Sequence, residues 1–371
     1  MEAHRSEIIA DLTRLVRIPS VSEPRSSEPE PFGSGCARVL EEAIHMAQEK
    51  GMTAENYRNW YGLASYGSGG HCIGIFSHLD VVEAGSDWEY PPFEVTEKDG
   101  WLIGRGVADD KIAAVIGMHI AKALRELHLG GHTTLQLYLG VCEEKGMSDI
   151  DRYLQEQKQP DFSMVPDFMF PVSVGEQGVL KLDMISKKQF KSLLTFVGGE
   201  QGKRFPLTAS AVCRYNAVPT FIPEGIQVKP SEEGLAVQAA GKPASSYHAK
   251  DSVSAIHVIA DFLAKSELLH PADTNVMRAV AEMTASDCGD YFGIACTDEF
   301  FGALACTCKL GALNDSRLVL SFDIRYPKAI DGKTICTQIT SYAEAHEFQV
   351  ENLDDTAPWL FPKDDPRVQI L

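Results

Sequence analysis

A chain of 371 residues is too long for one compact domain and about right for two, at roughly 150 residues per domain. With 44% hydrophobic and 23% charged residues its composition is globular, which excludes a disordered chain. The 34 Lys and Arg against 52 Asp and Glu leave a net charge of −18, a field that argues against nucleic acid or anionic membrane as partners.

The longest uncharged apolar run lies near Ile112–Ala121, short of the ~20 residues a membrane span needs. The N-terminus, Met-Glu-Ala-His-Arg-Ser-Glu, lacks the basic-then-apolar order of a signal peptide. Nine scattered cysteines contain no C-x-x-C pair, so neither a disulfide framework nor a thiolate zinc site is expected. A soluble cytoplasmic protein is the reading these features give.

In chain order, Ile8, Ile9, Leu12, Leu15 and Val16 repeat at helical spacing up to Pro19. Residues 20–34, rich in Ser, Pro, Glu and Gly, read as a loop. A second helix carries Cys36, Leu40, Ile44 and Ala47 on one face and stops at Gly51. Cys72–Ser77 and Leu135–Val141 are apolar runs of buried-strand type. Ile112–Leu127 and Ser148–Gln157 read as helices. Strands alternating with helices predict a largely parallel sheet covered by helices, with its ligand site at the carboxyl ends of the strands. After about residue 178 the texture changes. Leu180–Ile185, Ser192–Val197, Leu235–Ala239 and Leu318–Ile324 read as antiparallel strands, accompanied by helices near Ser252–Leu263 and Lys333–Phe348. This is the pattern of a separate α+β domain.

Acidic and imidazole groups gather where such a sheet presents its site. The first strand runs into His78-Leu79-Asp80, which suits an imidazole metal ligand with an orienting carboxylate and equally describes a solvated turn. Gly104-Arg105-Gly106-Val107-Ala108-Asp109-Asp110-Lys111 precedes an apolar helix. A helix N-cap accounts for one of these aspartates, and a divalent cation would relieve the repulsion between the two. The second strand delivers Cys142-Glu143-Glu144, where one carboxylate can ligate a metal while its neighbour acts as base. Asp167 sits among apolar and proline residues, in either a ligand position or an exposed turn. The order H-x-D, D-D, E-E, D is more specific than any one part, because catalytic zinc sites mix His and carboxylate ligands.

The sequence resembles the zinc aminoacylase and carboxypeptidase superfamily, and within it the PepV-type bacterial dipeptidases. The resemblance rests on S-H-L-D-V-V (77–82), W-L-I-G-R-G-V-A-D-D-K (101–111), C-E-E-K-G-M-S-D-I-D (142–151) and V-P-D-F-M-F-P-V-S-V-G-E-Q-G (165–178). It continues through Y-N-A-V-P (215–219), D-I-R-Y-P (323–327) and P-W-L-F-P-K-D-D (358–365). It implies an α/β fold, a mostly parallel sheet flanked by helices, with an inserted α+β lid. Residues 1–178 would form the first part of the catalytic domain, 179–354 the lid, and 355–371 an incomplete return to the catalytic domain. It further implies a peptide substrate and two zinc ions, with manganese or cobalt as alternative metals. Asp109 would bridge the metals, His78 and Asp167 would complete one set, and Glu144 would bind the other. Glu143 would be the general base and Asp80 would orient His78. Asn216 and Arg325 would hold the substrate's carboxylate or the developing oxyanion.

Two departures from the family pattern set further expectations. The family's second zinc takes a terminal His from a glycine-rich segment beyond the 358–365 position, and no His follows His346 here. The second metal would then rest on Glu144 and the shared Asp109. The lid motif of the family places a His where this chain has Ser245, and His248 stands three residues later as a substitute. The resemblance therefore implies metal-dependent dipeptide hydrolysis. A catalytically impaired truncated homologue and an N-acyl amino acid deacylase are the alternatives.

Overall fold

The computed structural model describes residues 4–24, 28–86, 88–129, 132–168, 172–200, 205–215, 219–242 and 252–370. The chain divides into two compact units, Met1–Phe170 and Pro171–Leu371.

The first unit is built from helices α1 (Arg5–Val16), α2 (Ser34–Glu49), α3 (Lys111–Glu126) and α4 (Ser148–Glu156). Its strands are β1 (Thr53–Tyr57), β2 (Tyr61–Tyr66), β3 (His71–His78), β4 (Thr96–Lys98), β5 (Trp101–Ile103), β6 (Thr133–Gly140) and β7 (Phe162–Met164). Five of them form one sheet in the order β1-β2-β6-β3-β7. Strand β3 lies parallel to β6 and β7, and the β1–β2 hairpin adds an antiparallel edge. The two central strands read apolar at most positions because both sheet faces are covered. On one face Ile75, Leu137 and Leu139 pack with Leu12 and Leu15 of α1, Val39 and Leu40 of α2, and Val115 and Met118 of α3. On the other, Tyr61, Leu63 and Tyr138 meet Tyr153 of α4. Among the described residues no helix is long and apolar enough to cross a membrane.

The second unit carries an eight-stranded, wholly antiparallel sheet. In chain order its strands are β9 (Gly178–Ser186), β10 (Leu193–Gly198), β11 (Thr208–Cys213), β12 (Ile226–Pro230), β13 (Leu235–Ala240), β16 (Ala305–Asn314), β17 (Arg317–Tyr326) and β18 (Phe348–Thr356); the short pairs β8 (Gly175–Glu176) with β19 (Trp359–Leu360) and β14 (Thr297–Asp298) with β15 (Gly302–Ala303) stand outside it. Period-two alternation sends Leu180, Leu182 and Met184 of β9 and Leu318, Leu320, Phe322 and Ile324 of β17 inward. They pack against α5 (Ala255–Lys265), α6 (Pro271–Met283) and α7 (Gly332–Ala345). Cys306 and Cys308 alternate within β16 and are buried. Residues 355–371 group with this second unit.

Candidate metal centre

The parallel strands decide where the polar groups go. Strand β3 ends at His78, whose register partner on β6 is Gly140, and the Leu79 N–H donates to the Gly140 carbonyl at 2.8 Å. Both strands therefore release their chains at the same edge, with Asp80 following one and Glu143-Glu144 following the other. Strand β7, parallel to β3, ends at Met164 and leads to Asp167. The fourth contributor, Asp109-Asp110, immediately precedes α3.

His78 is 3% exposed and is the hub. Its Nδ1 is 2.9 Å from the Asp80 carbonyl oxygen. A carbonyl can only accept, so Nδ1 carries a proton; Nε2 is the nitrogen turned toward the carboxylates, donating to Asp109 here and able to give its lone pair to a metal in place of that proton. Around Nε2 lie Asp109 Oδ1 at 3.0 Å, Asp167 Oδ2 at 3.6 Å and Glu143 Oε2 at 3.9 Å. His78, Asp109 and Asp167 form one group able to share an ion, and His78, Glu143 and Glu144 form a second. Asp80 is fully buried, and its carboxylate accepts the Glu143 N–H at 3.1 Å and the Glu144 N–H at 3.2 Å. The shortest contact from Asp80 to the imidazole is thus through its backbone; its Oδ1 lies 3.4 Å from Nδ1.

Electrostatics show what the cluster lacks. Burial and the neighbouring Glu144, Asp167 and Asp80 carboxylates push Glu143 up to about 7. Burial and the nearby Asp109 also raise Glu144. Burial would lower the His78 imidazole, but hydrogen bonding to Asp109, Asp167 and Asp80 lifts it above its ordinary value. Asp109 is lowered by its hydrogen bond to His78. Among the described residues no Lys or Arg forms an ion pair with Asp109, Glu143, Glu144 or Asp167. One imidazole nitrogen with several oxygen donors, and no Lys or Arg ion-paired with them, fits a divalent metal of the zinc or manganese type.

A second acidic group contrasts with it. Glu7, Asp11 and His119 also come together, but Lys50 Nζ lies 2.7 Å from Asp11 and 2.8 Å from Glu7, and Lys122 Nζ lies 2.6 Å from Glu7. Ammonium groups already fill the cation's role there.

Asp110 holds the N-cap position of α3, yet its side chain makes no capping hydrogen bond. It is fully buried, its Oδ1 has no partner, and burial with the Asp167 charge pushes it up to about 8. The helix-cap account of the Asp109-Asp110 pair therefore fails. Next to it, the buried Lys111 ammonium donates to the Leu15 and Ile18 carbonyls, both at 2.9 Å, and burial lowers it to about 7. Lys111 and Asp149, the latter near the Glu143-Glu144 turn, have weak signals in the sequence: a Lys opening an apolar helix and an acid in a first helical turn. Arg325 lies on β17 in the second unit, its Nε donating to Asp323 Oδ1 at 2.9 Å. Asn216, Ser245 and His248 fall outside the described residues.

Residues 74–371 match the family model described as Peptidase family M20/M25/M40. The chain belongs to this peptidase family. A Staphylococcus aureus protein named "Putative dipeptidase" is 25% identical over 406 residues, covering 100% of this chain and 83% of that relative. Human carnosine dipeptidase 1 superposes with a TM-score of 0.55 at 16% identity, covering 99% of this chain and 82% of that one. The M20 family metallo-carboxypeptidase Sso-CP2 from Sulfolobus solfataricus gives 0.55 at 12% identity, covering 98% and 81%. At these identities the two structures establish the fold alone, an α/β unit and an antiparallel α+β unit in one chain. Membership of the M20 family carries with it peptide hydrolysis and the use of a divalent metal.

Proposed function

We propose that this M20 peptidase is a cytoplasmic dipeptidase that hydrolyses dipeptides and short peptides with a free N-terminus. Zinc is the proposed metal, with manganese or cobalt as alternatives. The observation that carries the reading is the convergence of His78 Nε2 with Asp109, Asp167 and Glu143, with no Lys or Arg ion-paired to these carboxylates among the described residues. Nine free cysteines suit a reducing compartment.

In this reading His78, Asp109, Asp167 and Glu144 would hold the metals, Asp109 serving both. Divalent metal, when bound, polarises the scissile carbonyl and acidifies water. Glu143 takes a proton from the attacking water on its carboxylate and delivers it to the leaving amine nitrogen. A carboxylate beside the attacking water is suited to both transfers. Asp80 keeps His78 in the tautomer with a free Nε2. Arg325 is assigned to the substrate's carboxylate, for which a guanidinium's paired donors are suited. Asn216 and His248 are assigned to the carboxylate or the oxyanion.

The test is hydrolysis of a dipeptide panel by the full chain with added zinc, beside acetylornithine and succinyl-diaminopimelate. Dipeptide cleavage abolished by a chelator, and slowed by about 1000-fold in Glu143→Ala, is expected. Cleavage confined to the N-acyl substrates would replace the dipeptidase reading with a deacylase one. Full activity in Glu143→Ala would remove the general-base assignment.

A further inference from the structure

Four consecutive backbone amides, 141 to 144, end on two buried carboxylates. Asp80 takes those of Glu143 and Glu144. Asp149 takes the other two: its Oδ2 accepts the Val141 N–H at 2.7 Å and the Cys142 N–H at 3.0 Å. Asp149 is 2% exposed, and its Oδ1 accepts its own helix's Ile150 N–H at 2.8 Å. A first-turn acid that only complemented its helix would face that helix's amides. Here two of the three donors come instead from the chain leaving β6. The fit is close, because a Cβ built on Gly140 would lie 3.0 Å from Asp149 Oδ2. No other hydrogen bond in the described structure satisfies the Val141 and Cys142 amides, so the carboxylate fixes the course of the backbone just before Glu143.

We propose that Asp149 is a positioning residue that sets where Glu143 and Glu144 stand relative to His78. This rests on the reading of that pair as base and metal ligand. Removing the Asp149 carboxylate leaves buried N–H groups unpaired, which costs free energy and frees the turn to shift. Outer partners that orient metal ligands commonly change affinity by about 10- to 100-fold when removed.

The test compares full-length wild type, Asp149→Ala, Asp149→Asn and the exposed control Asp151→Asn. Amide exchange across 139–146 is followed by mass spectrometry in the metal-free protein, and zinc affinity is measured against a competing chelator. In Asp149→Ala the Val141 and Cys142 amides are expected to exchange faster, and zinc to bind about 10- to 100-fold more weakly. Asp149→Asn, which keeps one acceptor oxygen, is expected to recover part of both, and Asp151→Asn to match wild type. If Asp149→Ala does not fold, Asp149→Asn decides, with weakened zinc binding and faster exchange as the supporting result. Unchanged exchange and unchanged zinc affinity in a folded Asp149 variant would overturn the proposal. If wild type itself binds no zinc, the metal reading fails, and the exchange arm still decides whether Asp149 holds the turn.

Discussion

Single side chains at strand ends set the chemistry of the first unit. His78, Asp109, Glu143 and Glu144 were legible in the sequence because each follows an apolar strand or precedes an apolar helix, where an α/β sheet presents its ligands, whereas Asp167 stood out only as a carboxylate among apolar and proline residues. What was not legible were the groups beneath them. Asp110 stands where a helix cap is common, and only the structure shows that its side chain caps nothing. Gly106 is a second hidden constraint. Its φ is +84°, and a Cβ there would lie 3.0 Å from both Lys111 Cδ and Val81 Cγ1. Gly106→Ala should therefore cost about 1–3 kcal/mol in urea denaturation and weaken metal binding, since it pushes on the Lys111 stem beside Asp109 and Asp110. A Gly106→Ala protein with wild-type stability and affinity would show that this loop bends freely.

Elements show the same division between pattern and context. Helices α1, α2 and α3 and strands β3 and β6 follow from apolar periodicity and length. The β1–β2 hairpin does not, because its strand Thr53–Tyr57 is largely polar and exposed and its turn lacks an Asn-Gly signal. Arg58 and Asn59 supply the left-handed residues, at φ 53° and 60°. Helix α6 was also missed: its N-cap is His270, whose ring accepts the Ala272 N–H, and its first turn, Pro-Ala-Asp-Thr, resembles a loop.

The contact of α1 with α2 and α3 has a pH signature of its own. Hydrogen bonds from Lys122 and Lys50 lower the Glu7 carboxyl to about 2. A carboxyl depressed in the folded state adds stability above its unfolded pKa, and that stability is lost as pH falls through the folded value. Because the Glu7 side chain is 38% exposed, the contribution at pH 7 is about 1 kcal/mol or less. Glu7→Gln should be destabilised at pH 7, with the difference from wild type closing as pH falls from 4.5 toward 2 and shrinking in high salt. A pH-independent difference would show that packing, not charge, holds the three helices.

At the scale of the molecule, most of the −18 charge lies on carboxylates spread along the chain, and a few converge where three parallel strands and a helix meet. The change of texture near residue 178 reflects a real change of architecture, from a covered α/β sheet to an antiparallel sheet with helices packed on its core. Because the metal would bind the folded form alone, zinc at about 100 times its Kd should stabilise the protein by about 2.7 kcal/mol, read as a rise in Tm that a chelator reverses. The most direct test of the central claim is calorimetric titration of zinc into the metal-free full chain, wild type beside His78→Ala. The account predicts saturable binding to wild type that is weakened or lost in His78→Ala. Absence of binding to wild type, or the same isotherm for both proteins, would contradict it.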